Sequence, residues 1–484
     1  MTIKSFKSFC FILLLATLIS CQQAPKKQPE YEAGLEKAWT HLQQSTLNNL
    51  QEKNYGEAKK HIKQMMAFAG DEFQRWEYIR MALVSMPVDL ANPLIEQALK
   101  KSVVANDAEQ LYGFSKVLTQ MKQTDQAMKL INKAIKIDNK EAYIYWRARL
   151  YLLLENDQLS EKDYQWLIKQ QPNNVDYITQ YVTLLTYLKR NDEAIELLEK
   201  NEDEPALLLR EVVLLLQDDR EDDALFKFKQ LIDLIAGKDL SPTLNLEIAE
   251  LAFWLEDYTN SMQLLQKIKS GDELNKAKIL MGRVLIEEKN YDRASIVFHQ
   301  VQNGPETYAI PAYLYEIELY RIQEKYAEAI KVATTGLKMF AKNADLLYSR
   351  AMLFEQIDDI DALEKDLMGI LKTNPDNADA LNALGYTWVE RDMNLEQAYD
   401  YIMQAYELKP NNKAVLDSVG WVYYKKGDLS KAEKYLRLAV EDNQQDLESY
   451  QHLITVLNEL GKKEEVDIIK EKIKSLFPEA SPIE

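Results

Sequence analysis

Few residues in this chain could do covalent or acid–base chemistry. Two thiols, Cys10 and Cys21, stand near the start of the 484 residues, and none follows. Four histidines, His41, His61, His299 and His452, are widely separated. None belongs to an HExxH pair, the spacing that would put two imidazoles on one helix face. A zinc site would need these rings plus carboxylates, because cysteine is missing from the body of the chain. Glu221–Asp223 and Asp358–Asp361 are acidic runs, read as solvated turns between helices, since neither has the spacing or glycine of a calcium loop. No Walker-type loop, dinucleotide turn or GxSxG elbow is present. The inventory therefore predicts no catalytic residue, no metal, no cofactor and no small-molecule substrate. What stands out is Cys21, through its setting.

Lys4 and Lys7 make a basic start, and Phe9 to Ile19 form an apolar run. That run is too short to span a bilayer, which takes about 20 residues, so residues 1–20 read as an export signal. Leu18-Ile19-Ser20-Cys21 resembles the lipobox of bacterial lipoproteins. The resemblance implies cleavage before Cys21, a diacylglycerol on its sulfur, and an acyl chain such as palmitate on the new amine. Several acyl chains make a durable anchor, where one binds only marginally. Gln22 in place of Asp implies the outer membrane, with the body facing the periplasm. Cys10 leaves with the signal, so no free thiol remains in an oxidising compartment. Residues 21–30 are the anchor and a tether; nine extended residues reach at most about 30 Å.

The body must be built mostly of helices. Glycine (14) and proline (13) are about 3% each, well below their usual shares near 7% and 5%, which points to short loops. A formal charge of −18 argues against nucleic acid, because phosphate recognition needs clustered Lys and Arg. "NADALNALGYTWVERDMNLEQAYDYIMQAYELKP" (Asn377 to Pro410) and "KAVLDSVGWVYYKKGDLSKAEKYLRLAVEDN" (Lys413 to Asn443) align over their length. Gly385 matches Gly420, while Ala398, Ile402 and Ala405 match Ala432, Leu436 and Ala439. Each unit reads as two amphipathic helices, with small residues where the backbones cross. The alanine recurs at Ala127, Ala194, Ala224, Ala294 and Ala329. Repeat starts fall near 108, 141, 175, 205, 242, 275, 310, 344, 378, 413 and 447. Most spacings are 33–35; the exceptions, 30 and 37, flank Pro205.

This resembles the tetratricopeptide repeat, a helical hairpin of 34 residues. The expected fold is all-α, a tetratricopeptide-repeat superhelix of about 11 clear repeats over residues 107–478. Residues 31–106 hold about two divergent helical pairs, and 479–484 a tail. In such proteins the first helices line a concave face, and repeat positions 2, 5, 9 and 12 point into it. The resemblance places Tyr348, Met352, Asn382, Tyr386, Asp417, Trp421 and Tyr424 there as candidate partner-binding residues. Equally, Tyr386 and Trp421 could pack between repeats. The groove lacks the Lys and Asn pairs that clamp a peptide's terminal carboxylate, so that mode is not expected.

Leu363 to Trp388 and Leu416 to Leu436 also look like the C-terminal repeats of certain proteobacterial outer-membrane lipoproteins, the adaptors of the carboxyl-terminal processing protease. The resemblance implies a non-enzymatic adaptor that holds a periplasmic serine protease and substrates such as peptidoglycan hydrolases at the membrane. The alternative is an activator of peptidoglycan synthases or an accessory factor in outer-membrane assembly.

Overall fold

Prolines and asparagines punctuate the chain. Second helices stop at Gln170, Thr373 and Leu408, two residues before Pro172, Pro375 and Pro410. A residue preceding proline is pushed out of the α region, so the helix ends there. Asn174, Asn343, Asn377 and Asn412 then cap the next helix. Their side-chain oxygens accept from the amides of Tyr177, Leu346, Ala380 and Val415 at 3.1, 3.0, 2.9 and 3.1 Å. Each cap satisfies an amide that would otherwise lack a partner.

The computed structural model describes residues 29–441 and 446–477, with side chains from residue 35 onward; every regular element among them is a helix. The chain divides into two compact units, meeting at Ala236 and Gly237. The described part of the first opens with Pro29–Gln51, Tyr55–Phe68, Phe73–Val84 and Val88–Leu99 and a single turn, Ser102–Ala105. Four hairpins follow: Ala108–Gln120 with Thr124–Ile137, Glu141–Leu153 with Asp157–Gln170, Val175–Tyr187 with Asn191–Glu199, and Pro205–Gln217 with Glu221–Ile235. The second unit holds seven. They are Pro242–Trp254 with Tyr258–Lys267, Leu274–Glu287 with Tyr291–Gln302, Glu306–Arg321 with Tyr326–Met339, and Ala344–Gln356 with Ile360–Thr373. Then come Ala378–Glu390 with Leu395–Leu408, Lys413–Lys425 with Leu429–Ala439, and Leu447–Glu459 with Lys463–Leu476. The uneven spacing around Pro205 has a local cause. The helix before it is cut to nine residues, and the second helix of its own hairpin runs to 15.

Small residues let paired backbones approach. Ala127, Ala194, Ala224, Ala294, Ala329, Ala398 and Ala432 are all fully buried. A Cβ on Gly385 would lie 2.7 Å from Ile402 Cγ1, and one on Gly420 2.5 Å from Leu436 Cγ. Both are closer than real atoms pack, so those crossings demand glycine. The turns inside hairpins are tight and repetitive. Asn156, Arg190 and Asp428 donate their amides five residues back, to Tyr151, Leu185 and Tyr423, at 2.8, 2.9 and 2.9 Å. This closure puts one residue in the left-handed region. That residue is Lys122, Glu155, Lys189, Asp219, Glu256, Lys289, Glu324, Asp358 or Asp392 in nine hairpins, and glycine only at Gly427 and Gly461.

One acidic run departs from the sequence reading, while Asp358 and Asp359 of the other lie in the turn between helices as expected. Glu221–Asp223 are not a turn; they form the first turn of a helix. Asp359 caps the next such helix by accepting from the Ala362 amide at 3.2 Å, and Asp361 lies in that helix's first turn. Carboxylates are favoured there by the positive end of the helix dipole. The signal, Cys21, residues 22–28 of the tether and the tail lie outside the described residues, whereas Pro29 and Glu30, expected in the tether, already belong to the first helix.

Candidate protein-interaction site

In the second unit, the like helices of neighbouring repeats that pack closely against each other are first helices. First helices therefore line the inner side of this unit. Their side chains meet across more than one repeat: the Tyr386 hydroxyl on Ala378–Glu390 donates to Glu448 on Leu447–Glu459 at 2.5 Å, bridging over Lys413–Lys425.

At the centre lies a stack of three rings. Trp421 lies 3.9 Å from the His452 ring at 15° and 4.7 Å from Tyr424 at 18°. Its indole N–H donates to Glu390. With 9% of its surface exposed, Trp421 is a packing residue between repeats as well as part of this face. Aromatic pairs of this kind add roughly 0.5–1.5 kcal/mol beyond simple burial. Asp417 is buried and faces His452 Nδ1 at 3.0 and 3.1 Å through its two carboxylate oxygens. The Tyr424 hydroxyl donates to Glu459 at 2.6 Å. Tyr386 sits beside the His452 ring, 6.2 Å between centroids. Tyr348 and Met352 are half-buried and pack against the same core one repeat earlier, away from the ring stack. Asn382 is half-buried too, and its buried side-chain oxygen has no hydrogen-bond partner. Five of the seven candidates thus lie near one another on Ala378–Glu390 and Lys413–Lys425, and four of them, Tyr386, Asp417, Trp421 and Tyr424, join one bonded cluster.

The electrostatics are one-sided. Glu390, Asp417, Glu448 and Glu459 are held by an indole, an imidazole and two phenols. The nearby cations Arg391 and Lys425 are already paired with Asp358 and Asp392 at 3.0 and 2.8 Å. Burial and the Glu448 carboxylate push the Tyr386 hydroxyl far above its ordinary pKa. Burial, with Glu448 also contributing, raises Glu355. Burial alone would lower His452, but the Asp417 hydrogen bond and charge outweigh it, helped by Glu448 and Glu390, and the imidazole is raised. His452 Nε2 faces Glu390 at 3.9 Å. Both ring nitrogens thus face carboxylates, an arrangement that favours the protonated imidazole.

His452 escaped the sequence reading because it belongs to no local motif. Its partner Asp417 is one repeat length away, and an acid and a histidine at that offset on first helices are the signal that could have found the pair. Among the described residues, no three His, Asp or Glu side chains converge as a metal site would require, and no helix is long and apolar enough to cross a membrane.

The tetratricopeptide repeat family matches residues 109–141 and 415–446, the second stretch containing the ring stack's Trp421 and Tyr424. A TPR repeat-containing protein of Pseudomonas aeruginosa is 34% identical over 194 residues, 40% of this chain and 33% of that protein. The bacteriophage adsorption protein A of Escherichia coli is 23% identical over 197 residues, 40% of this chain and 19% of its own length. The chain thus spans a third and a fifth of these curated relatives. Yeast Tom70 has a similar helical arrangement, with 12% identity, a TM-score of 0.38 and coverage of 76% of this chain and 92% of that one. Hairpins of matched register, fully buried alanines at the crossings and two stretches that match the family outright make this an all-α protein built of tetratricopeptide repeats, related to a Pseudomonas protein of the same kind.

Proposed function

We propose that this chain is a non-enzymatic scaffold, anchored to the outer membrane through Cys21, that gathers periplasmic proteins on its repeats. The observation that carries the reading is the acidic, aromatic cluster on the last three first helices, built from Tyr386, Asp417, Trp421, Tyr424 and His452 with Glu390, Glu448 and Glu459. It joins rigid aromatic area to uncompensated negative charge, a combination suited to a basic partner segment. Its partner is a carboxyl-terminal processing protease, and the repeats bring that protease together with substrates such as peptidoglycan hydrolases. The support for this finer step is the resemblance over Leu363 to Trp388 and Leu416 to Leu436. Two proteins bound to one scaffold meet at an effective concentration near ~1 mM, which is how such a protein acts without making bonds itself.

Affinity purification of the full chain from detergent-solubilised membranes tests both levels. The expected result is a serine protease, recovered by wild type and lost from Glu448→Gln/Glu459→Gln, which keeps both tyrosine acceptors and removes two charges. Recovery of a peptidoglycan synthase or assembly factors instead would replace the protease reading. Equal recovery by wild type and the double variant would move the site elsewhere.

A further inference from the structure

A second surface in the same unit has the opposite chemistry. Glu250, Phe253, Trp254, Lys276, Ile279, Leu280 and Arg283 line an open cavity of about 200 Å³ between the first helices Pro242–Trp254 and Leu274–Glu287. Glu250 and Phe253 occupy positions 9 and 12 of one repeat, and Lys276, Ile279 and Arg283 positions 2, 5 and 9 of the next. The cavity therefore opens on the side that first helices line.

Arg283 is its distinctive group. Its guanidinium lies 4.4 Å from the Phe253 ring, 5.5 Å from Tyr315 and 5.9 Å from Trp254. Tyr315 is itself backed by buried Phe298, stacked at 5.9 Å and 12°. Three rings thus hold the planar fork in place, yet it donates to no acceptor and forms no ion pair among the described residues. This contrasts with Arg147 and Arg350, whose forks are spent on Asp163 and Asp366. Lys276, also without an ion pair, adds a second cation. The one acid among the lining residues, Glu250, is raised by desolvation and feels the charges of Lys276 and Arg283, but it forms an ion pair with neither. On the rim, Trp254 leaves 73% of its surface in solvent. Exposed indoles are costly unless they are covered, and they are the residues that most often anchor interfaces.

We propose that this cavity receives an internal acidic segment of a partner protein, with an Asp or Glu carboxylate on Arg283 and Lys276 and the adjoining large apolar side chain on Phe253, Trp254 and Ile279. The ring-held guanidinium offers two parallel donors in carboxylate geometry, and little side-chain freedom remains to be lost on binding. The cavity is smaller than the roughly 300–1,000 Å³ that encloses a whole ligand, so it fits one or two side chains of something larger. Its charge is complementary to acids, whereas the Trp421 cluster is complementary to bases; the two sites select different partners and do not depend on each other.

Fluorescence anisotropy on the full chain tests this with short labelled peptides, acetylated and amidated so that only side chains are charged. One carries Glu-Leu pairs in a Gly-Ser background, one Gln-Leu and one Lys-Leu. The Glu-Leu peptide should bind most tightly and weaken as salt is raised. Arg283→Gln should weaken it at least about tenfold and Trp254→Ala several-fold, with Lys-Leu binding unchanged by either. Lys276→Gln, at an exposed position, reads the same site should Arg283→Gln lose helicity. Equal binding of Glu-Leu and Gln-Leu, or Glu-Leu binding untouched by Arg283→Gln and Lys276→Gln, would overturn the assignment. Displacement by free glutamate at the peptide's own concentration would overturn the peptide as ligand.

Discussion

His452 lies where the sequence alone is least informative. Four scattered histidines look alike in a list, but one of them is buried beneath Trp421 and faces Asp417, and that setting gives it a measurable signature. Its folded pKa lies above the ordinary value near ~6.5, so its stabilising effect is fully present below that value and is lost as pH rises through the folded pKa. Thermal melts should therefore show wild type losing stability relative to His452→Gln as pH rises above about 6.5, while the variant's curve stays flatter. An equal slope in both proteins would mean that the Asp417 pair does not hold the proton. Trp421 carries a second expectation. Truncating a ring packed on both faces costs about 3–5 kcal/mol in typical cores, so Trp421→Ala should lower the denaturation midpoint of this unit sharply. It is thus a poor probe of binding, and Glu448→Gln/Glu459→Gln is the cleaner one. Position within the repeat, taken from the family resemblance, located Tyr386, Asp417, Trp421 and Tyr424; it could not reveal that their hydrogen-bond partners lie 31 to 62 residues away.

Helix pairs were the most legible feature, because apolar residues three and four apart report a buried face directly. Charged residues inside that face were not legible, since periodicity assigns any charge to the outside. Arg147 pairs with Asp163 at 2.6 Å and Arg350 with Asp366 at 2.7 Å, each across its own hairpin with the same 16-residue separation. In a third hairpin the polarity is reversed: fully buried Glu211 meets Lys227 at 2.7 Å. A pair that works in either sense is a locking device between first and second helix, not a ligand site. Arg350→Asp or Asp366→Arg alone leaves two like charges facing each other in the hairpin and should cost about 3–5 kcal/mol. The double swap should recover a large part of that loss in urea denaturation, as the Glu211–Lys227 hairpin shows the reversed sense to be tolerated. The turns make a similar point. Scarce glycine implied short loops, and the loops are short; that a charged residue would sit in the left-handed region at nine of them was not foreseeable from composition. A non-glycine residue there is strained by about 1–2 kcal/mol, less the chain entropy that glycine adds to the unfolded state. Glu324→Gly and Lys289→Gly should each raise the melting temperature slightly, whereas Gly427→Ala should lower it.

In the proposed scaffold, net charge, anchor and repeats act together at the level of the assembled protein. The −18 formal charge is spread unevenly, for the second unit carries both a cluster of carboxylates with only neutral or histidine partners and a cavity with two unpaired cations. On the proposed reading, a scaffold with two such surfaces discriminates by charge and holds weakly bound proteins together by proximity, so its output depends on where it is as much as on how tightly it binds. Cys21 then has a distinctive expected phenotype. Cys21→Ser should leave the repeats folded and able to capture partner in detergent, yet release the chain from membranes and remove the acyl mass from its N-terminus. Processing of a membrane-proximal substrate should fall, because the tether supplies effective concentration and not contact energy. Overproducing Cys21→Ser should restore it, since raising the bulk concentration substitutes for tethering. Overproducing Glu448→Gln/Glu459→Gln should restore far less, since that loss lies in the contact itself. Rescue of both variants to the same degree would show that the anchor and the acidic cluster contribute in the same way, and the proximity mechanism would then be wrong.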